Sequence, residues 1–162
     1  MMKRLWSQPD RPAILVVLGH YETPAPNQPR ITFAGNDWFE PDDLTKQVQD
    51  LSKWKDANPL VLLAACESGA ASLASITSFL AAFADARAAA VIGTETTVFL
   101  GLACRFAKEI AVALMGTTGK ESSAGKQSLG DAVLSFRRGL LLDFNPLGFV
   151  FTPYGDADLH RA

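Results

Sequence analysis

Three continuous apolar runs constrain the fold of this chain more than any other feature of its sequence. The runs are Ala13–Leu18, Leu60–Ala65 and Ala88–Ile92. They lack the alternation of a half-exposed strand, and such runs are typical of strands that are buried on both faces. Each is far shorter than the roughly 20 residues that cross a bilayer. The runs therefore predict central strands of a parallel sheet.

Segments with helical spacing of apolar residues separate and follow these runs. One helix is predicted to begin at Pro41 and to end near Asn58, and further helices are predicted over 72–83, 98–115 and 128–142. A loose capping box from Ser128 to Asp131 begins the last of them. A small hairpin is predicted from 31–33 and 38–39, and a further strand over 149–151. This alternation predicts an α/β fold with helices on both faces of the sheet.

The order of the main strands follows from the preference of sequential strands for neighbouring positions. We expect four parallel strands, near 13–18, 60–65, 88–93 and 148–152, in the order in which they occur in the chain. The strand at 13–18 is then an edge, although its composition is that of a covered strand. An edge of this kind is expected to self-associate or to recruit another segment.

Length and charge narrow the class of protein. A chain of 162 residues predicts one domain, over 13–156, with a lead-in at 1–12 and a tail at 157–162. The net charge of −2 argues against nucleic acid as a partner. Two cysteines are too few for a secreted disulfide framework, and no signal peptide is visible. These features predict a cytoplasmic protein without membrane contact.

His20 and Cys66 are the residues whose placement predicts chemistry. Each lies within two residues of the end of a predicted strand, and functional groups of such sheets gather at the carboxyl ends of strands. If the two strands are neighbours, they lie about 5 Å apart. A neighbouring histidine and the N-terminus of the next helix both favour the thiolate of Cys66. The pair therefore predicts covalent catalysis by a cysteine nucleophile.

Other chemistries find less support. The spacing from Gly116 to Lys120 does not fit a phosphate-binding loop, and no Gly-x-Ser-x-Gly elbow occurs. No group of ligands has metal-binding spacing, so we expect neither metal nor cofactor. Cys104 lies within a predicted helix and His160 in the tail, and neither position predicts a role in a site.

Several motifs resemble those of CHAT domains, which are caspase-like modules. The segment Ala64–Gly69 resembles their Ala-Cys-Glu-Ser/Thr-Gly element, and Gly19-His20 resembles part of their Gly-His-Gly element. Ala90–Thr94 is similar to their Ala-Val-Ile-Gly-Thr strand, and Tyr154–Asp156 to their closing Tyr-Gly-Asp. The resemblance runs from about Ile14 to Asp156.

The resemblance implies a caspase-like cysteine endopeptidase that acts on proteins or peptides. The implied fold is a three-layer sandwich around a mainly parallel sheet. His20 would be the base and Cys66 the nucleophile, with the backbone N–H groups of Tyr21 and Cys66 as an oxyanion hole. Glu67 follows the nucleophile and would line a pocket for a basic side chain of the substrate.

Two features of the chain leave alternatives open. Tyr21 stands where the family has glycine after the histidine, and the family fold begins with strands ahead of the histidine strand. A repeat-containing region or a subunit would then supply those missing N-terminal strands. One alternative is a catalytically inactive CHAT-type module for protein interaction or regulation. Another is an unrelated doubly wound domain that binds a small molecule at the same edge.

Overall fold

The computed structural model describes residues 13–25, 28–33, 35, 37–48, 58–67, 73–96, 98–116 and 127–159. The described strands are β1 (Ile14–Glu22), β2 (Arg30–Thr32), β3 (Trp38–Phe39), β4 (Leu60–Glu67), β5 (Ala90–Thr94) and β6 (Phe151–Gly155). The described helices are α1 (Pro41–Val48), α2 (Leu73–Asp85), α3 (Leu100–Met115) and α4 (Leu129–Leu142), and a 3-10 helix covers Pro146–Val150.

The described strands form one mixed sheet in the order β3-β2-β1-β4-β5-β6. Its centre is parallel, because β1 pairs with β4 and β4 with β5 in that sense. The predicted neighbours and their order along the chain are therefore confirmed for the main strands. The expectation of four parallel strands is wrong, since β6 runs antiparallel to β5. A single helix between two strands returns the chain to the edge of the sheet where the first strand began, so the next strand is parallel. The two helices α3 and α4 instead bring the chain back to the edge where β5 ended, so β6 runs antiparallel.

Two hydrophobic clusters cover the two faces of the sheet. On one face, Leu44 of α1 and Phe79 and Phe83 of α2 pack on β1 and β4. On the other face, α3 and α4 pack on β4, β5 and β6, and Phe106 of α3 stacks on Phe151 with the ring centroids 3.9 Å apart. The result is an α/β sandwich of three layers, which confirms the predicted fold class and is consistent with a caspase-like arrangement.

β1 is longer than the apolar run that predicted it. It continues through Gly19 to Glu22, because β2 pairs antiparallel with its last three residues. β1 is therefore not the outermost strand, and that expectation is wrong. Among the described residues, however, no strand pairs with 14–19 on the side away from β4, and Val16 is 41% exposed.

The C-terminal segment departs from the strand predicted over 149–151. A 3-10 helix occupies 146–150, because Asn145 Oδ1 accepts the N–H of Leu147 at 3.0 Å and Pro146 fits the first turn. The strand begins only at Phe151. Further along, the segment assigned to the tail contacts α4, since the carbonyl of Leu159 accepts the N–H of Leu129 at 2.9 Å.

The predicted helices are confirmed where the structure describes them, to within two residues at their starts. The capping box of α4 is also confirmed, since the N–H of Asp131 donates to Ser128 Oγ at 3.2 Å. The part of the first predicted helix beyond Val48 lies outside the described residues. No helix in the described part of the chain is long and apolar enough to span a membrane.

Candidate functional site

The fold brings the backbones of His20 and Cys66 together. The two residues are register partners across the parallel pair β1–β4, in the last three residues of each strand. Neighbouring strands lie about 4.8 Å apart. The pairing of the two strands, on which the sequence argument depended, is therefore present. Glu67 is the next position along β4 and is the register partner of Tyr21.

The register continues from these two residues across the hairpin. His20 pairs with Thr32 of β2, and Thr32 pairs with Trp38 of β3. Trp38, Thr32, His20 and Cys66 thus occupy one line across four strands, which we call the site row. Within it, His20 is exposed and Trp38 is 56% exposed. The site row therefore presents an imidazole and an indole on an open part of the sheet.

The neighbouring line of residues is buried. Phe39, Ile31 and Tyr21 are each at most 2% exposed and are also aligned by register; we call them the buried row. The rings of Tyr21 and Phe39 lie 5.8 and 5.7 Å from that of Phe79 in α2. This packing holds the hairpin of β2 and β3 beside His20, because an aromatic core fills the face of the sheet behind the site row.

Tyr21 stands where the resembled family has glycine, and its geometry explains why a side chain fits there. It lies in regular strand backbone outside the left-handed region that favours glycine. Its ring enters the core on the face opposite the site row. Burial, with a smaller effect of Tyr154, raises the pKa of its phenol well above the ordinary value. The phenol therefore stays neutral.

An ion pair lies next to His20 on the same edge of the sheet. Arg30 donates from Nε and Nη2 to one oxygen of Glu22, at 2.9 and 2.7 Å. Hydrogen bonds from Arg30 lower the pKa of the Glu22 carboxyl, and the charges of Arg30 and His20 act in the same direction. The Arg30 guanidinium also lies over the Trp38 ring, 5.7 Å from its centroid.

Sequence reasoning missed Glu22, Arg30, Thr32 and Trp38 as residues of the site. The prolines at 24, 26 and 29 are typical of a loop over 22–30, whereas Glu22 of β1 and Arg30 of β2 are register partners. The available signal was alternation: polar and apolar residues alternate from His20 to Glu22 and again from Arg30 to Thr32.

Gly19 is required by the close approach of β2. A Cβ atom at this position would lie 2.5 Å from Ile31 Cγ2 and 2.8 Å from the carbonyl oxygen of Thr32. Both distances are far shorter than van der Waals contact. The second involves the backbone of Thr32, which cannot move without disturbing the pairing of β1 and β2. The glycine before His20 thus lets the hairpin dock against the strand that carries the histidine.

The other residues considered from sequence lie apart from this site or outside the description. Cys104 is exposed on α3 and forms no disulfide. His160 and most of the rejected phosphate-loop segment fall outside the described residues. Within the described residues, no group of three histidine, cysteine or acidic side chains could hold a metal ion.

Comparison with known proteins gives one informative relative. No family model matches the chain. Over 122 residues, it is 35% identical to a protein named "Probable protease" from Vitiosangium sp. (strain GDMCC 1.1324). The match covers 73% of this chain and 15% of that relative, so the chain spans only a small part of the relative's length. The comparison indicates a distant relationship to a protease.

Proposed function

We propose that this chain carries the catalytic part of a caspase-like cysteine endopeptidase of the CHAT type, with His20 as base and Cys66 as nucleophile. The observation that carries the proposal is the register pairing of these two residues at the carboxyl ends of parallel strands. The motifs around both residues and the similarity to a probable protease support it.

The reaction follows from the chemistry of a thiol beside an imidazole. His20 takes the thiol proton, and the Cys66 sulfur forms a bond to the carbonyl carbon of the substrate. The backbone N–H of Cys66 is the proposed donor to the oxyanion. The N–H of Tyr21, the second donor that the resemblance implies, belongs to a strand that is paired on both sides, and we do not include it. The C–N bond then breaks as His20 gives its proton to the leaving amine. Water, deprotonated by His20, then attacks the thioester carbonyl, the bond to the Cys66 sulfur breaks, the acid product leaves, and His20 returns the proton to the thiolate.

Peptide cleavage tests the proposal. The protein is incubated with a library of short peptides that vary at the residue before the scissile bond, and products are identified by mass spectrometry. We expect cleavage that is lost in Cys66→Ala and His20→Gln and unchanged in the control Cys104→Ala. If Glu67 lines the specificity pocket, cleavage is best after a basic residue and Glu67→Gln weakens that preference. Cleavage that persists in Cys66→Ala contradicts the proposal.

The inactive alternative makes a different prediction. A binding module keeps the same affinity for its partner in Cys66→Ala. If binding depends on the thiol, the Kd instead changes by more than about tenfold, or ~1.4 kcal/mol. The regular strand backbone of Tyr21 removes the need for glycine at that position, so the tyrosine gives no support to inactivity. Absence of cleavage together with unchanged partner affinity would favour the module.

We also propose that the side of β1 at 14–19 on which no described strand pairs is covered by a strand from a repeat-containing region or a subunit. Unpaired backbone on a strand of apolar residues favours such pairing. Without that partner, sedimentation should show self-association that grows across about a hundredfold range of concentration. A species that stays monomeric over this range contradicts the proposal.

We place the protein in the cytoplasm, where a reducing environment preserves a catalytic thiol.

A further inference from the structure

We infer that Trp38 is a specificity-determining residue that binds an apolar side chain of the substrate on the leaving-group side of the scissile bond. The inference rests on the proposed peptidase activity and deepens it. In the site row, Trp38 lies two strands beyond His20 and on the side away from Cys66.

The order of the row fixes the direction of the peptide. The acyl group of the substrate becomes bonded to Cys66, and the leaving amine must lie beside His20, which protonates it. The line from Cys66 through His20 therefore leads from the acyl side to the leaving side, and its continuation reaches Thr32 and then Trp38. The residues that follow the scissile bond are those that extend over the hairpin.

The distance along the row selects the position in the substrate. Two strand spacings of about 4.8 Å place Trp38 nearly 10 Å from His20. An extended peptide advances about 3.3 Å per residue. A substrate that crosses the strands thus brings about the third residue after the scissile bond to the indole.

The surroundings of Trp38 select the chemistry of that residue. The indole is 56% exposed, although it lies in a strand beside the buried Phe39. Arg30 lies over the ring but is paired with Glu22, so the two charges next to the indole balance. Neither an acidic nor a basic side chain gains from this pair, whereas an aromatic or long aliphatic side chain gains contact with the ring.

The hairpin is held firmly enough to act as a subsite. The Glu22–Arg30 ion pair joins β2 of the hairpin to β1, and Phe39 holds β3 in place by packing on Phe79 and Phe83. The indole therefore keeps its place relative to His20. The geometry favours recognition by a preformed surface.

Cleavage of matched peptides tests the inference. The peptides are internally quenched and identical except for Phe, Gly, Asp or Lys at the second, third or fourth residue after the scissile bond. We expect kcat/KM for Phe over Gly to be about tenfold at one of these positions, as one apolar contact allows. Trp38→Ala should reduce the ratio below about twofold, and Trp38→Phe should retain most of it. The control Phe144→Ala, which removes another exposed aromatic ring, should leave the ratio unchanged.

A binding measurement separates this inference from the proposed function. Calorimetry with the Cys66→Ala variant should give tighter binding of the Phe peptide than of the Gly peptide, and the difference should vanish in Cys66→Ala/Trp38→Ala. Trp38-dependent binding without cleavage by the parent protein sustains the subsite and overturns the peptidase. Cys66-dependent cleavage with a preference that survives in Trp38→Ala overturns the subsite alone. Absence of both cleavage and binding overturns both.

Discussion

Two adjacent lines of residues in the same strands have opposite environments. The buried row of Phe39, Ile31 and Tyr21 is closed by α2, whereas Trp38 and His20 in the site row face open space. The strands, the register and the backbone are shared, so only the alternation of side chains distinguishes the rows. The comparison shows how a short hairpin supplies both an anchor and a reactive surface.

The largest expected effect comes from removing the anchor. Phe39→Ala deletes a buried aromatic ring and should lower the free energy of unfolding by about 3–5 kcal/mol, because a cavity replaces contacts with Phe79 and Phe83. Trp38→Ala, one residue away in the exposed row, should cost below about 1 kcal/mol. Urea unfolding followed by circular dichroism measures both. Equal losses in the two variants would remove the distinction between the rows.

An intermediate effect is expected at Gly19, the residue that precedes His20 and Tyr21 in β1. Gly19→Ala places a methyl group against Ile31 and the backbone of Thr32, and such overpacking costs about 1–3 kcal/mol. Peptide cleavage should fall as well, because the hairpin must shift away from His20. The matched control is Gly139→Ala in α4, where an added Cβ meets nothing within 4 Å. This control should stabilise the protein, by up to about 1 kcal/mol. A neutral Gly19→Ala would contradict the close approach of β2.

The smallest effect concerns the charges beside the site row. Arg30, which donates two hydrogen bonds to Glu22, holds the pKa of that carboxyl below its ordinary value of 4.5. A carboxyl whose pKa is lower in the folded state stabilises the fold at any pH above its pKa in the unfolded state. This stabilisation is lost as the pH falls through its pKa in the folded state. Arg30→Gln should therefore raise the pKa of Glu22 in an NMR titration, whereas Arg105→Gln on α3 should not. A pKa that is the same in Arg30→Gln and in the parent protein would rule out the pairing.

The sequence predicted the central strands and helices because long apolar runs and helical spacing depend on local pattern. It also predicted the neighbouring strands of His20 and Cys66, from the order of β/α units. It failed for β6, since the direction of a strand depends on how many helices precede it, and two helices here reverse the direction. That count was available in the pattern of predicted elements.

The hairpin side of the site was harder to predict for a different reason. The pairing of Glu22 with Arg30 joins residues on either side of a proline-rich segment, and local composition there favours a loop. The strand continues past Gly19 because β2 and β4 pair with its last residues and Tyr21 packs on Phe79 of α2. Tertiary packing, of which the local sequence pattern gives little sign, therefore places Thr32 and Trp38 in the site row.

The reactivity of the Cys66 thiol shows whether His20 and Cys66 act as a catalytic pair. An ordinary thiol has a pKa near 8.5 and reacts slowly at pH 6.5. The protein is treated with iodoacetamide between pH 5 and 9, and mass spectrometry follows the labelling of Cys66 and, as an internal control, of Cys104. We expect Cys66 to be labelled at least about tenfold faster than Cys104 near pH 6.5, and His20→Gln to remove the difference. Equal rates for the two thiols, or a rate for Cys66 that does not change in His20→Gln, would contradict a His20/Cys66 pair.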